Sequence, residues 1–184
     1  MYTMPHPYQF RRSVPACVAC VGIHTHGCNN VLRMLPGLVI RSSSIHAAGC
    51  YTTRPIRKGT RIVEYDGPRL SKEEADIRYE GRCVTYLFAC GEKEVIDGFG
   101  TAMFLNHCCD PNCETEQDED GRVYVCSIRD IAAGEELTYE YNLHDSDDDA
   151  QDCYCGAARC RGTMFSDEEV KRRERLARRK SLKK

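Results

Sequence analysis

Short runs of β-branched and aromatic residues, separated by Gly, Asp or Pro, recur along the chain from about residue 38 onward. The clearest four read TRIVEYDG, VTYLFACG, RVYVCSIRDI and ELTYEY. Runs of this length and composition are typical of strands. The pattern therefore predicts a small, mostly β domain of the α+β class.

Two polar segments begin with a signal for a helix N-terminus. SKEEADIRYE places Ser71 three residues before Glu74, and SDEEVKRRERLARRK places Ser166 three residues before Glu169. At this spacing each side chain can accept a hydrogen bond from the other residue's backbone N–H, which is the capping box. We predict a helix in each segment, the second one largely solvated.

Two turns resemble each other. IRKGTRIVEY (56–65) and IAAGEELTYE (131–140) each place a glycine in a polar loop just before an apolar strand. Glycine and polar residues are the usual occupants of tight turns. The likeness indicates the same turn chemistry used twice, not a repeat fold.

Proline, charge and cysteine divide the chain into five segments. The first is irregular and contains proline, cysteine and histidine, and the second holds the predicted strands. An acidic linker, DSDDDAQD, leads to a cysteine-rich knot and then to a strongly basic terminal helix. The bounds of these segments are 1–37, 38–144, 145–152, 153–165 and 166–184.

Length and apolar content limit the class of protein. A chain of 184 residues fits one domain with small appendages. The start, MYTMPHPYQFRR, lacks the apolar region of a secretory signal, and no run approaches the roughly 18 apolar residues that span a bilayer. We expect a soluble, intracellular protein with no membrane contact. The net charge of −2 predicts no partner by itself.

The cysteines point to metal binding. There are 13 of them, so complete disulfide pairing is impossible, and in an intracellular chain most thiols are reduced. CYCGAARC places Cys153, Cys155 and Cys160 in a C-x-C-x4-C arrangement. Because a closed structural zinc site takes four ligands, this piece needs one more, or else its fourth position is open to water and catalytic.

The missing ligand has several candidates in FLNHCCDPNCE, residues 104–114. This is a dense cysteine cluster, and a ligand there would connect two distant parts of the chain. The spacing does not distinguish among Cys108, Cys109 and Cys113. The alternative for the knot is a set of buried thiols that behave as small apolar side chains.

The remaining cysteines have simpler readings. Cys83, Cys90 and Cys126 fall inside predicted strands, where a buried thiol is the expected role. An early group could form a second metal site, although its spacing matches no familiar one. Its members are Cys17, Cys20 and Cys28, with His24 and His26 between them.

Several motifs occur in the order of one known family. They are RSSSIHAAGCYTT, GTRIVEYDG, TYLFAC with VIDG, FLNHCCDPNC, ELTYEY and CYCGAARCRG. Over about residues 38–165 the chain resembles the SET-domain protein-lysine methyltransferases with a post-SET zinc motif. The resemblance implies a β-clip with a pseudoknot, in which residues 137–141 thread beneath the loop that carries Asn106 and His107. It also implies a C-terminal zinc-binding knot.

The resemblance further implies a cofactor site and a complete zinc site. Asn106 and His107 would hold S-adenosylmethionine, and Tyr86 would lie near its polar end. Backbone groups lining its amino-acid moiety would come from His46, Ala47 and Ala48. Cys109 corresponds to the fourth zinc ligand. One structural zinc ion would then be held by Cys109, Cys153, Cys155 and Cys160.

Three features depart from the family pattern. The cofactor loop, usually Gly-x-Gly, reads Ala47-Ala48-Gly49. Alanine tolerates fewer backbone conformations than glycine, so cofactor affinity would fall if the turn needs a positive φ. Met103 stands where an arginine is usual, and Cys108 replaces a common serine.

Methylation of lysine needs the neutral amine, although the unperturbed pKa of lysine is about 10.4. Burial in an aromatic channel and a nearby sulfonium both disfavour the charged amine. Tyr65, Tyr139 and Tyr141 offer apolar faces and hydroxyls for such a channel. No histidine or carboxylate stands out as a general base, so we expect alignment in a dry tunnel to supply most of the catalysis. Ordinary strand packing is the alternative for these tyrosines.

Two of the tyrosines receive roles by resemblance. The hydroxyl of Tyr141 would lie close to the transferring methyl and orient the amine. Tyr139 stands where the family carries Phe or Tyr, and a hydroxyl there would narrow the pocket and hold a water beside the amine. We therefore expect mono- or dimethylation of a lysine-containing protein, histone or not, by a monomeric enzyme.

Other functions are also compatible with the sequence. A catalytically silent SET-like module that binds or scaffolds proteins is favoured by the altered loop at Ala47 and by Met103. A zinc-dependent nucleic-acid binder is supported by the cysteine clusters and by the basic tail, since Lys and Arg attract phosphates. Interspersed acidic residues favour a merely solvated tail helix. These are Asp167, Glu168, Glu169 and Glu174.

Overall fold

The computed structural model describes residues 37–82, 85–91, 93–143 and 152–182. The early Cys/His group, Cys83 and most of the acidic linker lie outside these residues. The strands are β1 Leu38–Ser42, β2 Ala48–Thr52, β3 Arg61–Glu64, β4 Arg69–Ser71, β5 Leu87–Cys90, β6 Glu94–Asp97, β7 Asn106–His107, β8 Cys113–Gln117, β9 Val123–Ser127 and β10 Thr138–Tyr139. The helices are α1 Lys72–Tyr79, a 3-10 helix Thr101–Phe104 and α2 Asp167–Ser181. The predicted mostly β, α+β class is confirmed.

The strands form small sheets. β1 and β2 make an antiparallel hairpin, β3–β9–β8 and β4–β6–β5 are three-stranded antiparallel sheets, and β7 pairs with β10 in parallel. Six strands found in the structure, β1, β2, β4, β6, β7 and β8, lie outside the four clearest apolar runs. β4 and β7 are short, and β1 and β8 have exposed positions, so their hydrophobic pattern is weak.

The main core lies where the sheets and the hairpin meet. Its fully buried side chains include Ile62, Val125, Ile131 and Leu137. A smaller cluster packs under α1 and contains Leu70, Ala75, Leu87 and Val95. Cys90 and Cys126 are buried, as predicted, and so are Cys50 and Cys113. Since burial of apolar side chains is the main favourable term in folding, these clusters hold the sheets in place.

The two helix starts differ in detail. At α1 the capping box is complete, with Ser71 accepting from the Glu74 backbone N–H and Glu74 accepting from the Ser71 backbone N–H. At α2 Ser166 accepts from the Glu169 N–H, but the reciprocal bond predicted from the sequence is absent. The Ser166 N–H donates instead to Leu143 O, and the Glu169 carboxylate pairs with two arginines of its own helix, Arg172 and Arg173.

The two similar turns are paired in space. Gly59 and Gly134 both have positive φ, at 76° and 89°. Ile56 and Ile131, which stand at the start of the two segments, exchange backbone hydrogen bonds of 2.8 Å in each direction. The shared turn chemistry therefore brings β3 and the segment leading into β10 side by side.

Residues 135–141 are enclosed by contacts on two sides. On the hairpin side, Leu137 N donates to Cys50 O at 2.7 Å. On the other side, Thr138 N donates to the Asn112 side chain at 2.9 Å, and Cys108 N donates to Tyr139 O at 3.1 Å. This is the enclosure that the expected pseudoknot requires. Within the part of the chain that the structure describes, no helix is long and apolar enough to cross a bilayer.

Candidate functional site

Aromatic side chains from separate strands converge beside the enclosed segment. The ring centroids of Tyr65 and Phe88 are 5.0 Å apart, those of Phe88 and Tyr139 6.4 Å, and those of Tyr139 and Tyr141 4.9 Å. These separations and tilted planes are those of favourable aromatic pairs. The structure thus brings the three predicted channel tyrosines together and adds Phe88.

The three tyrosine hydroxyls have different surroundings. Tyr65 donates to Tyr86 O at 2.9 Å, and Tyr141 donates to Leu105 O at 2.9 Å. The Tyr139 hydroxyl makes no hydrogen bond within the described residues. Tyr139 Oη is not one of the fully buried unpaired side-chain atoms, so this hydroxyl is accessible to a ligand or a water.

Gly98 makes room for the Tyr65 hydroxyl. A Cβ atom at this position would lie 2.5 Å from Tyr86 O and 2.7 Å from Tyr65 Oη. Both distances are too short for real contacts, so a side chain here would displace the tyrosine. The glycine of the VIDG motif is therefore explained by close approach.

Burial controls the ionisation of the aromatic group. Burial raises the pKa of Tyr65 and of Tyr141, and it raises the pKa of Tyr139 well above its ordinary value. A phenol whose pKa lies above 10 stays protonated near neutral pH. These residues can therefore orient and donate, but they cannot serve as anionic bases.

Asn106 and His107 form the short strand β7 and are both buried. Asn106 Nδ2 donates to Ala48 O at 3.0 Å and to Glu136 Oε1 at 2.7 Å. His107 Nδ1 accepts from the Tyr141 N–H at 3.2 Å, and the two rings are 5.4 Å apart. β7 thus connects the β1–β2 hairpin with the aromatic group.

The predicted cofactor loop is the turn of the β1–β2 hairpin. His46 is half-buried there, and burial lowers the pKa of its imidazole. Ala47 has a φ of +28°, and its carbonyl accepts from Ser43 N at 3.3 Å. The turn therefore uses a positive φ at the position where the sequence has alanine instead of glycine. Tyr86, just before β5, is half-buried and its carbonyl holds Tyr65.

The groups around this turn fit a cationic ligand with an amino-acid end, such as S-adenosylmethionine. The carboxylate of Glu136 lies between the hairpin and Asn106. The Asn106 amide oxygen and the Tyr139 hydroxyl make no hydrogen bond within the described residues. Carboxylates, amide oxygens and aromatic faces all attract ammonium and sulfonium groups.

Four cysteine sulfurs form a second feature of the site. The Sγ atoms of Cys109, Cys153, Cys155 and Cys160 all lie within 4.8 Å of one another. Cys109 Sγ and Cys153 Sγ are 3.7 Å apart. Tetrahedral zinc with Zn–S bonds of about 2.3 Å requires sulfurs about 3.8 Å apart. The group fits one structural zinc ion.

The structure also separates the three candidates for the fourth sulfur. Cys109 faces the knot, and its Sγ accepts from the Arg161 backbone N–H at 3.5 Å. Cys108 Sγ instead lies against the backbone of Asp110, and Cys113 is fully buried in the main core. Only Cys109 among these three belongs to the four-sulfur group in the described residues.

Backbone N–H groups prepare the sulfur cluster for a metal. Cys155 Sγ accepts from Cys109 N at 3.5 Å, and Cys160 Sγ accepts from Gly162 N at 3.4 Å. Burial by itself would raise the pKa of Cys155, but hydrogen bonds from backbone N–H groups and neighbouring thiols lower it to about 6. One sulfur is therefore readily a thiolate, which is the form that binds zinc.

An ion pair joins the knot to the aromatic group. Arg161 Nη2 lies 2.6 Å from Glu140 Oε2, and Glu140 Oε1 lies 3.2 Å from His107 Nδ1. His107 Nε2 in turn lies 3.4 Å from Cys109 Sγ. The cysteine knot and the β7–β10 pair are thus one connected polar network.

Three residues of the site were not predicted from the sequence. Phe88 sits two positions after Tyr86 in β5, and this spacing on one strand face was a usable signal. Glu136 and Arg161 carry no such local signal, because their partners are distant in sequence. Met103 lies half-buried in the 3-10 helix, outside the contacts described above.

Comparisons with known proteins agree with this geometry. The SET domain family model matches residues 47–142. The chain is 34% identical over 171 residues to the H3 lysine-4 specific histone-lysine N-methyltransferases of Eremothecium gossypii and Saccharomyces cerevisiae, covering 85% of this chain. It is 38% identical over 133 residues to the Drosophila melanogaster histone-lysine N-methyltransferase trr, covering 66% of this chain.

These relatives are much longer proteins. The chain spans 18% and 16% of the two fungal sequences and 6% of the fly sequence. The family match nevertheless covers about half of this chain, including β2, the aromatic group and β7 with β10. The chain belongs to the SET domain family.

Proposed function

We propose that the chain is an S-adenosylmethionine-dependent protein-lysine N-methyltransferase that acts on a histone tail. One observation carries the proposal: the Tyr139 hydroxyl, without a hydrogen-bond partner in the described residues, lies in an aromatic group beside β7. The names of the relatives, which specify lysine 4 of histone H3, support an H3 tail as the first substrate to test.

The residue roles that we propose are those implied by the family motifs. The channel and catalytic residues are Tyr65, Tyr139 and Tyr141. The cofactor contacts are His46, Ala47, Ala48, Tyr86, Asn106, His107 and Tyr141. The zinc ligands are Cys109, Cys153, Cys155 and Cys160. We also propose the five-segment division of the chain given above, with the SET domain over 38–144 and the zinc knot over 153–165.

The cofactor would supply a methyl group on a positively charged sulfur. The protein's part is to deliver a neutral lysine amine in line with the bond between that methyl group and the sulfur. The faces of Tyr65, Phe88 and Tyr139 exclude water, and burial favours the uncharged form of a lysine that enters between them. Because the buried phenols stay protonated and cannot accept a proton, the lysine ammonium would lose its proton to solvent before methyl transfer, and alignment supplies the main catalytic effect.

Turnover is the direct test of this proposal. Purified protein is incubated with radiolabelled S-adenosylmethionine and an H3 tail peptide, beside the same peptide with Lys replaced by Arg and a panel of other lysine-containing proteins. We expect label on lysine, and a loss of about 100-fold or more in Tyr141→Phe, because an orienting group near the reacting atoms is removed. Label on none of the substrates would overturn the proposal.

A catalytically silent SET-like module is the second candidate, favoured by the positive φ of Ala47. Such a module would bind a histone peptide without methylating it. Calorimetry with the peptide and with S-adenosylmethionine, run beside the turnover assay, separates the two candidates. Peptide binding without cofactor binding or turnover supports the silent module.

The proposed product is mono- or dimethyl-lysine. A hydroxyl at Tyr139 narrows the channel and can hold a water beside the amine. Tyr139→Phe removes it, and we expect the variant to add one more methyl group than the unchanged protein. Mass spectrometry of the peptide after complete reaction measures the state. An unchanged product distribution in an active variant would contradict this role.

The exposed cations of α2 support a further contact with nucleic acid. Lys171, Arg175, Arg178 and Arg179 are all exposed. Their positions three, four, seven and eight apart place them on one side of the helix. We propose that the chain acts as a monomer inside the cell and that this side contacts DNA near a chromatin substrate. Fluorescence anisotropy with a short DNA duplex tests the contact, and it should weaken in Arg175→Glu and with added salt.

A further inference from the structure

The carboxylate of Glu136 lies at the meeting point of three segments. Ser43 Oγ, in the hairpin turn, is 2.8 and 2.9 Å from its two oxygens. The Tyr51 hydroxyl of β2 donates to it at 2.8 Å, and Asn106 Nδ2 of β7 donates at 2.7 Å. Glu136 itself precedes β10. One acidic side chain therefore joins the hairpin, β7 and the strand that carries Tyr139.

Gly49 lets the carboxylate come this close to β2. A Cβ atom at Gly49 would lie 2.1 Å from Glu136 Oε1 and 2.7 Å from its Cδ. Gly49 is not among the residues with positive φ, so the glycine is needed for space alone. Gly49 is thus required because the Glu136 carboxylate lies close to it, and not because the backbone turn needs a positive φ.

The contacts of Glu136 fix the orientation of the Asn106 amide. The two neighbours of the amide, Ala48 O and Glu136 Oε1, are both acceptors. The amide nitrogen must therefore face them, and it donates both of its hydrogens. The amide oxygen is left pointing away, with no hydrogen bond in the described residues. It can accept from the ammonium group of a ligand.

The same carboxylate also holds the hairpin turn. Ser43 Oγ, which is bound to Glu136, accepts from Ile45 N at 3.0 Å and from His46 N at 3.5 Å. Its position therefore sets the backbone of the residues expected to line the amino-acid end of the cofactor. The backbone of Glu136 is held as well, because Asn112 Nδ2 donates to Glu136 O at 2.7 Å.

We propose that Glu136 is the positioning residue of the cofactor pocket. It holds the Asn106 amide with its oxygen towards the ligand ammonium, holds the hairpin turn through Ser43, and places a negative charge beside a cationic ligand. This inference rests on the proposed function, since the ligand is S-adenosylmethionine. It adds a residue that touches neither the methyl group nor the lysine.

The test compares two ligands in one variant. Glu136→Gln keeps the size of the side chain but removes its charge, and hydrogen bonds to a charged acceptor are about twice as strong as neutral ones. S-adenosylmethionine carries the ammonium group, and 5′-methylthioadenosine lacks the whole amino-acid end. We expect the Kd of the first to rise about tenfold by calorimetry and the Kd of the second to stay within twofold.

Kinetics give a second readout. The KM for S-adenosylmethionine should rise with the Kd, whereas the KM for the peptide and the zinc content stay unchanged. Glu114→Gln is the matched control, because Glu114 is exposed on β8 and distant from the hairpin turn in the sequence. We expect the control to bind both ligands as the unchanged protein does.

The outcomes separate this inference from the proposed function. If the unchanged protein binds no S-adenosylmethionine, the proposed function fails. If the unchanged protein binds it and Glu136→Gln binds it equally well, or loses both ligands equally, the positioning role is overturned. If Glu136→Gln does not fold, Ser43→Ala and Tyr51→Phe replace it, each removing one donor. Each should weaken only S-adenosylmethionine, and unchanged binding in both overturns the role.

Discussion

Ala47 shows how one residue of the cofactor loop can limit the site. Its φ of +28° lies in the left-handed region, which costs a residue with a Cβ atom about 1–2 kcal/mol. Asn142 is the other non-glycine residue with positive φ in the described ranges, and asparagine tolerates this region well. The strain at Ala47 therefore falls on the turn that would hold the amino-acid end of the ligand.

Ala47→Gly should relieve this strain. The gain is partly offset by the larger backbone entropy of glycine, so we expect a net stabilisation of about 0.5–1 kcal/mol. Cofactor affinity should rise about two- to fivefold, because the turn no longer has to be held against strain. Urea unfolding and calorimetry measure the two effects. Ala48→Gly, at an ordinary φ in β2, is the control and should destabilise. An unchanged or lower stability of Ala47→Gly would contradict the strain.

The candidate site residues predicted from the sequence lie in contiguous motifs. Asn106, His107, Tyr139 and Tyr141 stand within two short stretches whose order is typical of the family, and the structure brings them together. Glu136 lies in one of those stretches too, but its role depends on partners 85 and 93 residues away. Such a role is set by tertiary contacts that no local pattern contains.

At the level of elements, the two helix starts also show that tertiary contacts can override a local sequence pattern. The spacing of Ser71 and Glu74 predicted a capping box, and both of its hydrogen bonds form. At Ser166 and Glu169 the same spacing gives only one of the two hydrogen bonds, from the Glu169 N–H to the Ser166 side chain. There the arginines of α2 bind the carboxylate, and Leu143 O takes the Ser166 N–H. A charged neighbour forms a stronger hydrogen bond than a neutral backbone group, so the local rule is overridden.

An ion pair between Glu140 and Arg161 links the segment after β10 to the zinc knot, and it bears on the proposed function. Glu140 follows β10 directly, and Arg161 follows the last cysteine of the knot. Both side chains are only 20–23% exposed. Burial opposes the charge on Glu140, but its contacts with His107 and Arg161 hold the pKa of its carboxyl below the usual range. The pair therefore stabilises the fold as an ion pair.

Glu140→Gln tests this link. We expect a destabilisation of about 1–3 kcal/mol, because a partly buried arginine loses its charged partner. Tyr141 should also be held less firmly in the variant, because Glu140 contacts His107, which binds the Tyr141 backbone N–H, and turnover should therefore fall. Glu116→Gln is the control, since Glu116 pairs with Arg61 at the surface, with side chains 51% and 53% exposed. An exposed pair contributes only about 0–1 kcal/mol. Equal effects in the two variants, measured by urea unfolding, would contradict the special role of Glu140.

On the scale of the whole molecule, the described C-terminal part depends on the cysteine group more than on an apolar core. Of residues 152–182, Phe165 is the large apolar side chain that is buried, and α2 is mostly exposed. The segment is otherwise attached by short backbone bridges, such as Leu143 with Phe165, and by the sulfurs that reach Cys109. A metal ion there would join the knot to the strand that carries Asn106 and His107.

Removal of zinc should therefore lower the local stability of the knot and of the strand beside it, and leave the main core unchanged. We expect about one zinc ion per chain at this site, lost in Cys155→Ser, because a structural site needs four ligands. Zinc that remains in the variant would be bound elsewhere, and the early Cys/His group is the candidate. Hydrogen exchange should rise at residues 106–110 and 152–165, while β3, β8 and β9 stay protected by the main core.

The same experiment relates the metal to the proposed reaction. Cys109 is two residues from His107, whose Nδ1 holds the Tyr141 backbone, so loss of the metal should disturb the tyrosine through this path. Turnover should fall with the zinc content, and Cys126→Ser, a change of a buried thiol outside the four-sulfur group, should keep its zinc. Full activity of a zinc-free Cys155→Ser protein would contradict the dependence of the channel on the knot.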